Sequence, residues 1–223
     1  MKRRNPFGFT SRLSILKLAL LFITVVSSQY SLEAQVDVTS SGGTPNASYL
    51  TLAAAFTAVN GGTHTGNITM NISANTTEPV GGAILNASGA GLANYANILI
   101  KPTGGASRVI SGAITAGNPL IDLNGADNVT FDGLNASGNS LTIENTTVSA
   151  TSGTSTIRFQ ADATSNLLTN CSINGASTMA TGTNGGNIWF GASSTTTGND
   201  NNTIFKCKIG PSGANLPTKG IYG

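Results

Sequence analysis

Three residues stand where they could do chemistry together. Asp122 lies between Ile121 and Leu123, Arg158 between Ile157 and Phe159, and Trp189 between Ile188 and Phe190. In an extended chain successive side chains point to opposite faces, so the apolar flanks turn inward and the middle residues outward. Laid side by side, the three segments put an acid, a cation and the only Trp of the chain on one exposed face. One reading of that column is structural: a cross-strand ion pair worth about 0–1 kcal/mol, with the guanidinium over the indole. The other is functional: a carbohydrate-binding platform of Trp189, Arg158 and Asp122, in which the indole stacks on a pyranose ring.

The other reactive types are sparse. Cys171 and Cys207 occupy equivalent places in two like segments, and an exported chain is permitted a disulfide. Side chains stacked in register point the same way, however, which suits a disulfide poorly. The expectation is two stacked core thiols acting as small hydrophobes. These two Cys and the single His64, distant in sequence, do not make a metal site. His64 sits in Gly61-Gly-Thr-His-Thr-Gly66 with no nucleophile pattern beside it, and is expected to be a surface residue in a loop. Asp127 and Asp162 fall where Asp favours turns, and Asp132-Gly133 reads as a bend. No regular Asp-containing nonapeptide joins these to Asp122 in a calcium site. No catalytic residue, metal or cofactor is assigned.

Positioning such residues requires extended segments held in order. Short apolar runs recur at Ile68–Ile72, Ile98–Ile100, Arg108–Ile110, Leu120–Leu123, Val129–Leu134, Leu141–Ile143, Thr156–Phe159, Leu167–Ile173, Asn187–Phe190 and Thr203–Ile209, separated by Gly, Asn, Asp and Ser. One helix is expected, where Leu52, Ala55, Phe56 and Val59 fall at helical spacing. Ser48 is its expected N-cap and Asn60-Gly61-Gly62 its stop. Before it, Val36 and Val38 alternate as a short strand.

An internal repeat organises the rest. Pro119–Leu123 leads into Asn128–Leu134, Ser155–Phe159 into Ser165–Cys171, and Gly186–Phe190 into Asn201–Cys207. Alignment stacks Ile121, Ile157 and Ile188, then Leu123, Phe159 and Phe190, then Phe131, Leu168 and Ile204. It further stacks Leu134 with Cys171 and Cys207, and Ala136 with Ile173 and Ile209. The loop Ala192–Asn199 absorbs the differences in spacing. Ile221 falls in register with Ile188, as the start of a fourth copy. Like segments recurring a whole unit apart, in one order, predict parallel stacked coils rather than hairpins. Each coil then buries its apolar column against the next at a spacing of about 4.8 Å.

The N-terminus reads as an export signal. Lys2, Arg3, Arg4, Arg12 and Lys17 precede the apolar run Leu18–Val26, and a polar stretch follows to Ala34. That run has nine residues, against about 20 for a membrane span. Cleavage is expected after Ser28 or Ala34, leaving no stable membrane span. Residues 1–34 hold five of the eleven Lys+Arg and one of the nine Asp+Glu, so the remainder carries six basic and eight acidic residues, a net of −2. No basic patch remains for a phosphate backbone, and nucleic-acid binding is not expected.

The segments Asn128-Val-Thr-Phe-Asp-Gly-Leu134 and Asn201-Asn-Thr-Ile-Phe-Lys-Cys-Lys-Ile209 resemble coils of right-handed parallel β-helix, pectate-lyase-like proteins. The whole chain resembles the N-terminal regions of large bacterial secreted β-helix surface proteins. The resemblance implies an all-β chain: a signal peptide at 1–34, a cap of one strand and a short helix at 35–65, and a right-handed parallel β-helix at 66–223, incomplete at its C-terminal end. It implies a monomeric, non-catalytic surface scaffold of adhesin type, in contact with polysaccharide or surface glycan. The alternative it leaves open is the N-terminal part of a polysaccharide lyase or glycoside hydrolase with active-site coils beyond residue 223. Such lyases use clustered carboxylates with a basic residue.

Overall fold

A computed structural model describes residues 34–193 and 198–223. The expected export segment, apart from Ala34, and the middle of the Ala192–Asn199 loop lie outside the described residues.

The chain is a parallel β-solenoid. Three sheets run its length, and each coil contributes one strand to each. The first sheet holds β1 (Val36–Gly43), β2 (Asn46–Tyr49), β3 (His64–Ile72), β6 (Tyr95–Pro102), β9 (Val129–Asp132), β12 (Leu167–Thr169) and β15 (Thr203–Phe205). The second holds β4 (Thr76–Thr77), β7 (Ser107–Gly112), β10 (Ser140–Asn145), β13 (Cys171–Gly175) and β16 (Lys208–Pro211). The third holds β5 (Ala83–Asn86), β8 (Pro119–Asn124), β11 (Ser155–Gln160), β14 (Gly186–Phe190) and β17 (Ile221–Tyr222). Five coils result, and the repeat visible in the sequence is their later part.

The aligned columns are where the repeat puts them. Ile121, Ile157, Ile188 and Ile221 are register partners, as are Leu123, Phe159 and Phe190. Phe131, Leu168 and Ile204 continue the column of Met70 and Ile100. Phe159 and Phe190 stack with centroids 4.9 Å apart and planes 9° from parallel. Full burial of each such side chain contributes about 1.5–3 kcal/mol, which a single coil has no partner surface to realise.

One stretch of the alignment is corrected. Leu134 and Ala136 do not stack on Cys171 and Ile173; Leu141 and Ile143 do. The turn from β9 to β10 carries an extra loop, residues 134–139, closed by a bridge between Ala136 and Asn139. Its Leu134, Asn135 and Ser137 take positive φ of 60°, 47° and 53°. The next coils turn the same corner on one left-handed residue each, Asn170 (φ 56°) and Lys206 (φ 54°), which break the expected continuous strands Leu167–Ile173 and Thr203–Ile209. Leu134 and Ala136 are two residues apart and mimic strand alternation, so apolar spacing cannot tell the loop from the corner.

The cap has two strands and a helix. β1 pairs antiparallel with β2 and β3, seating Val36 and Val38 on the core. The helix α1 (Leu52–Asn60) buries Leu52, Ala55, Phe56 and Val59 over the first coil. Its N-cap is Thr51, whose Oγ1 accepts from Ala54 N at 3.1 Å. The expected cap, Ser48, lies in β2 and donates to Asp37 instead. A second group holds the helix start: the buried Glu78 carboxylate accepts from Leu52 N at 3.0 Å and Ala53 N at 2.8 Å. Both N–H groups are among the donors a helix leaves unpaired, and the negative charge faces the positive end of the helix dipole.

Candidate functional site

The outer face of the third sheet gathers the residues singled out by type. Asp122, Arg158 and Trp189 are direct register partners across β8, β11 and β14. The column begins at Ile84 and ends at Tyr222. Two residues further along each strand, Asn86, Asn124 and Gln160 form a second row.

The geometry of the first row is a closed strut. Arg158 grips Asp122 in a bidentate pair, Nε to Oδ1 at 2.9 Å and Nη2 to Oδ2 at 2.6 Å. Gln160 Nε2 adds a third donor to Oδ2 at 3.0 Å. The Asp122 side chain is only 3% exposed and that of Arg158 18%. Asp122 therefore departs from the expected exposed face: it points outward from the sheet, but the longer side chains of the next coil cover it. Arg158 Cζ then sits 5.4 Å from the centroid of the half-buried Trp189 ring. Below it, Lys219 Nζ lies 4.0 Å from the Tyr222 ring centroid and donates to Thr183 O.

This arrangement limits the chemistry available. Both Asp122 oxygens already accept charged or amide donors, so the carboxylate has no free edge for a substrate proton. Arg158 spends its fork on Asp122 and its face on Trp189. One face of the indole is thereby covered, Tyr222 is its register partner on the other side, and the side chain is half-buried.

The second row is a relay of amides. Gln160 Nε2 donates to Asn124 Oδ1 at 3.2 Å, and Asn124 Nδ2 donates to Asn86 Oδ1 at 3.1 Å. The sequence carries its signal in Leu85-Asn86, Leu123-Asn124 and Phe159-Gln160, an amide after an inward residue in three successive coils. It was missed because composition alone makes Asn common.

No family model, curated protein or solved structure matches the chain.

The other reactive groups serve the scaffold. His64 is not a surface loop residue: it opens β3 and is fully buried. Its Nε2 lies 2.7 Å from Tyr49 Oη and its Nδ1 2.7 Å from Thr44 O, which locks the β1–β2 turn onto β3. Asp127 Oδ1 accepts from Thr164 N and Oγ1, and Asp132 Oδ1 from Leu134 N and Asn170 Nδ2. Cys171 and Cys207 are both free thiols, the first buried and the second half-buried. Burial pushes the Cys171 thiol well above its ordinary range, with the neighbouring Cys207 adding to the rise. Cys207 is raised by burial as well. Neither is the low-pKa, exposed kind that reacts readily. Burial also raises Glu78, against the lowering effect of the helix N–H groups. Among the described residues, no three His, Cys, Asp or Glu side chains come together as a metal set.

Proposed function

We propose that this chain is a non-catalytic, adhesin-like scaffold of the pectate-lyase-like β-helix type. It is exported through residues 1–34 to the bacterial surface or medium, works as a monomer, and contacts carbohydrate along the outer face of the third sheet. The Asp122–Arg158 pair carries this reading. The acid and the base best placed to do chemistry are used on each other, and His64, Glu78, Asp127 and Asp132 are used on the backbone or on neighbouring side chains. The part of that face open to solvent combines the exposed Ile84 with the half-buried Asn86, Asn124, Gln160, Trp189 and Tyr222, beside the cations Arg158, paired to Asp122, and Lys219, held by Thr183 O. Such a surface suits hydroxyl-rich ligands, with ring edges against sugar C–H groups and amides toward hydroxyls.

A glycan-binding screen with the processed chain and its Trp189→Ala variant tests the reading. Weaker binding by the variant is expected. Equal binding by both proteins removes Trp189 from the contact, and no binding by either removes carbohydrate contact altogether.

A further inference from the structure

A groove of about 710 Å³ runs between α1 and the outer face of the third sheet, at the end of the amide relay. Its size falls within the ~300–1,000 Å³ of ordinary ligand pockets. It contains Asn86 and Asn124 from the sheet, the exposed Ile84, and Thr51, Thr57 and Asn60 from the helix side, and its lining includes no charged residue.

The hydrogen-bonding state of that lining is informative. Asn60 is engaged at both ends of its amide: its Nδ2 donates to Ile84 O at 2.8 Å and its Oδ1 accepts from Asn86 N at 3.0 Å. Strand β5 is the outermost of its sheet, and this one amide occupies its edge as a neighbouring strand would. An extended peptide adding itself to β5 would have to displace it. Asn124 is also used at both ends of its amide. Asn86 is not: its oxygen accepts from Asn124, while its Nδ2 is the terminal donor of the relay. Thr51 Oγ1 accepts from Ala54 N and Thr57 Oγ1 donates to Ala53 O. The first hydroxyl therefore keeps its donor, and the second keeps its acceptor lone pairs.

We infer that this groove is a subsite for a neutral glycan, with Asn86 Nδ2 donating to a sugar hydroxyl and Ile84 packing against the C–H face of the ring. Free donors and a free acceptor, with no fixed charge, match the hydroxyl group, which is both donor and acceptor. A uronate or phosphate would find no cation among the lining residues, and a peptide strand would find its edge occupied. Trp189 lies three coils from Asn86, about 14 Å along the solenoid at the usual strand spacing. The groove and the aromatic end of the column can therefore engage separate sugars of one oligosaccharide. The inference rests on the reading of the chain as a glycan-contacting scaffold.

The experiment is calorimetric titration of the full processed chain. The probes are a panel of neutral hexose, N-acetylhexosamine and deoxyhexose oligosaccharides, an anionic uronate hexasaccharide, and an extended Val/Thr hexapeptide, each up to millimolar concentration. Thr57→Trp fills the groove from an exposed helix position, and Asn86→Ala removes the donor. Unchanged melting temperature and circular dichroism of Thr57→Trp keep the test valid where Asn86→Ala disturbs the relay. At least tenfold weaker binding of a neutral oligosaccharide by Thr57→Trp supports the subsite, and a further loss in the double variant Thr57→Trp/Trp189→Ala beyond that of Trp189→Ala alone shows that the groove contributes separately from the aromatic end. Loss with Trp189→Ala but not with Thr57→Trp overturns the subsite while leaving the scaffold reading intact. No neutral glycan bound at all, or the uronate or peptide preferred, overturns it too.

Discussion

The Asp122–Arg158 pair allows a test whose two arms differ in size for a structural reason. Removing one partner of a buried ion pair costs about 3–5 kcal/mol, because the other is left charged and unpaired. Here the two are not equally buried, with side-chain exposures of 3% for Asp122 and 18% for Arg158. Arg158→Met strands the carboxylate, with only Gln160 Nε2 left as donor, and should cost near the upper end of that range. Asp122→Leu strands a guanidinium that can turn partly to water, and should cost near the lower end, about 3 kcal/mol. The double variant Asp122→Leu/Arg158→Met replaces both charges with apolar groups and should fall within about 1 kcal/mol of the parent. The pairwise coupling from the cycle is then about 7 kcal/mol. Urea unfolding of the processed chain supplies the free energies, followed by far-ultraviolet circular dichroism and by Trp189 fluorescence. Agreement of the two probes checks that the coils unfold together. Single costs below 1 kcal/mol, or a double cost equal to their sum, would show an ordinary surface pair and refute the argument from burial. An Asp122→Leu cost larger than that of Arg158→Met would refute the asymmetry.

Other outcomes follow from single contacts. Glu78→Ala leaves two helix N–H groups without their acceptor and is expected to cost about 2–4 kcal/mol by thermal or urea unfolding, as two charge-assisted bonds are lost. The Glu78 pKa is raised in the fold above its ordinary 4.5. The folded state therefore holds that proton more tightly, and the linked stability is full below pH 4.5 and lost as pH rises through the raised value. Melts of parent and Glu78→Gln across that window should differ in slope in that sense, and parallel curves would count against it. Phe131→Ala removes a fully buried ring at the centre of the first sheet and should cost about 3–5 kcal/mol in urea unfolding. A disulfide thiol reagent should label Cys207 slowly and Cys171 more slowly still in the native chain, and both at once in denaturant. Gly133→Ala should be strongly destabilising, since its Cβ would meet the Asn170 carbonyl of the next coil, with no flexible side chain to yield.

Much of this architecture is legible in the sequence. The inward columns from Ile121 to Ile221 and from Phe131 to Ile204 could be aligned by eye, because each coil must place an apolar residue over its neighbour's to bury anything at all. The α1 face showed itself by helical spacing for the same reason. The register of Asp122, Arg158 and Trp189 followed from their apolar flanks, since alternation fixes the residue between two inward ones. What lay beyond the sequence were the features fixed by contact between coils. Whether an outward carboxylate meets water depends on how long the side chains beside it are and which way they fold, and Arg158 and Gln160 cover Asp122. His64 looked like a loop residue because the Tyr49 and Thr44 that bury it arrive through the antiparallel β1–β2 ribbon. Glu78 gave no local sign of capping a helix some 25 residues earlier. The corner at residues 134–139 was misread because an inserted loop with apolar residues two apart has the same period as a strand. Period-two and helical patterns are local and survive in one dimension; burial of polar groups and the reach of side chains across coils exist only once the chain is wound.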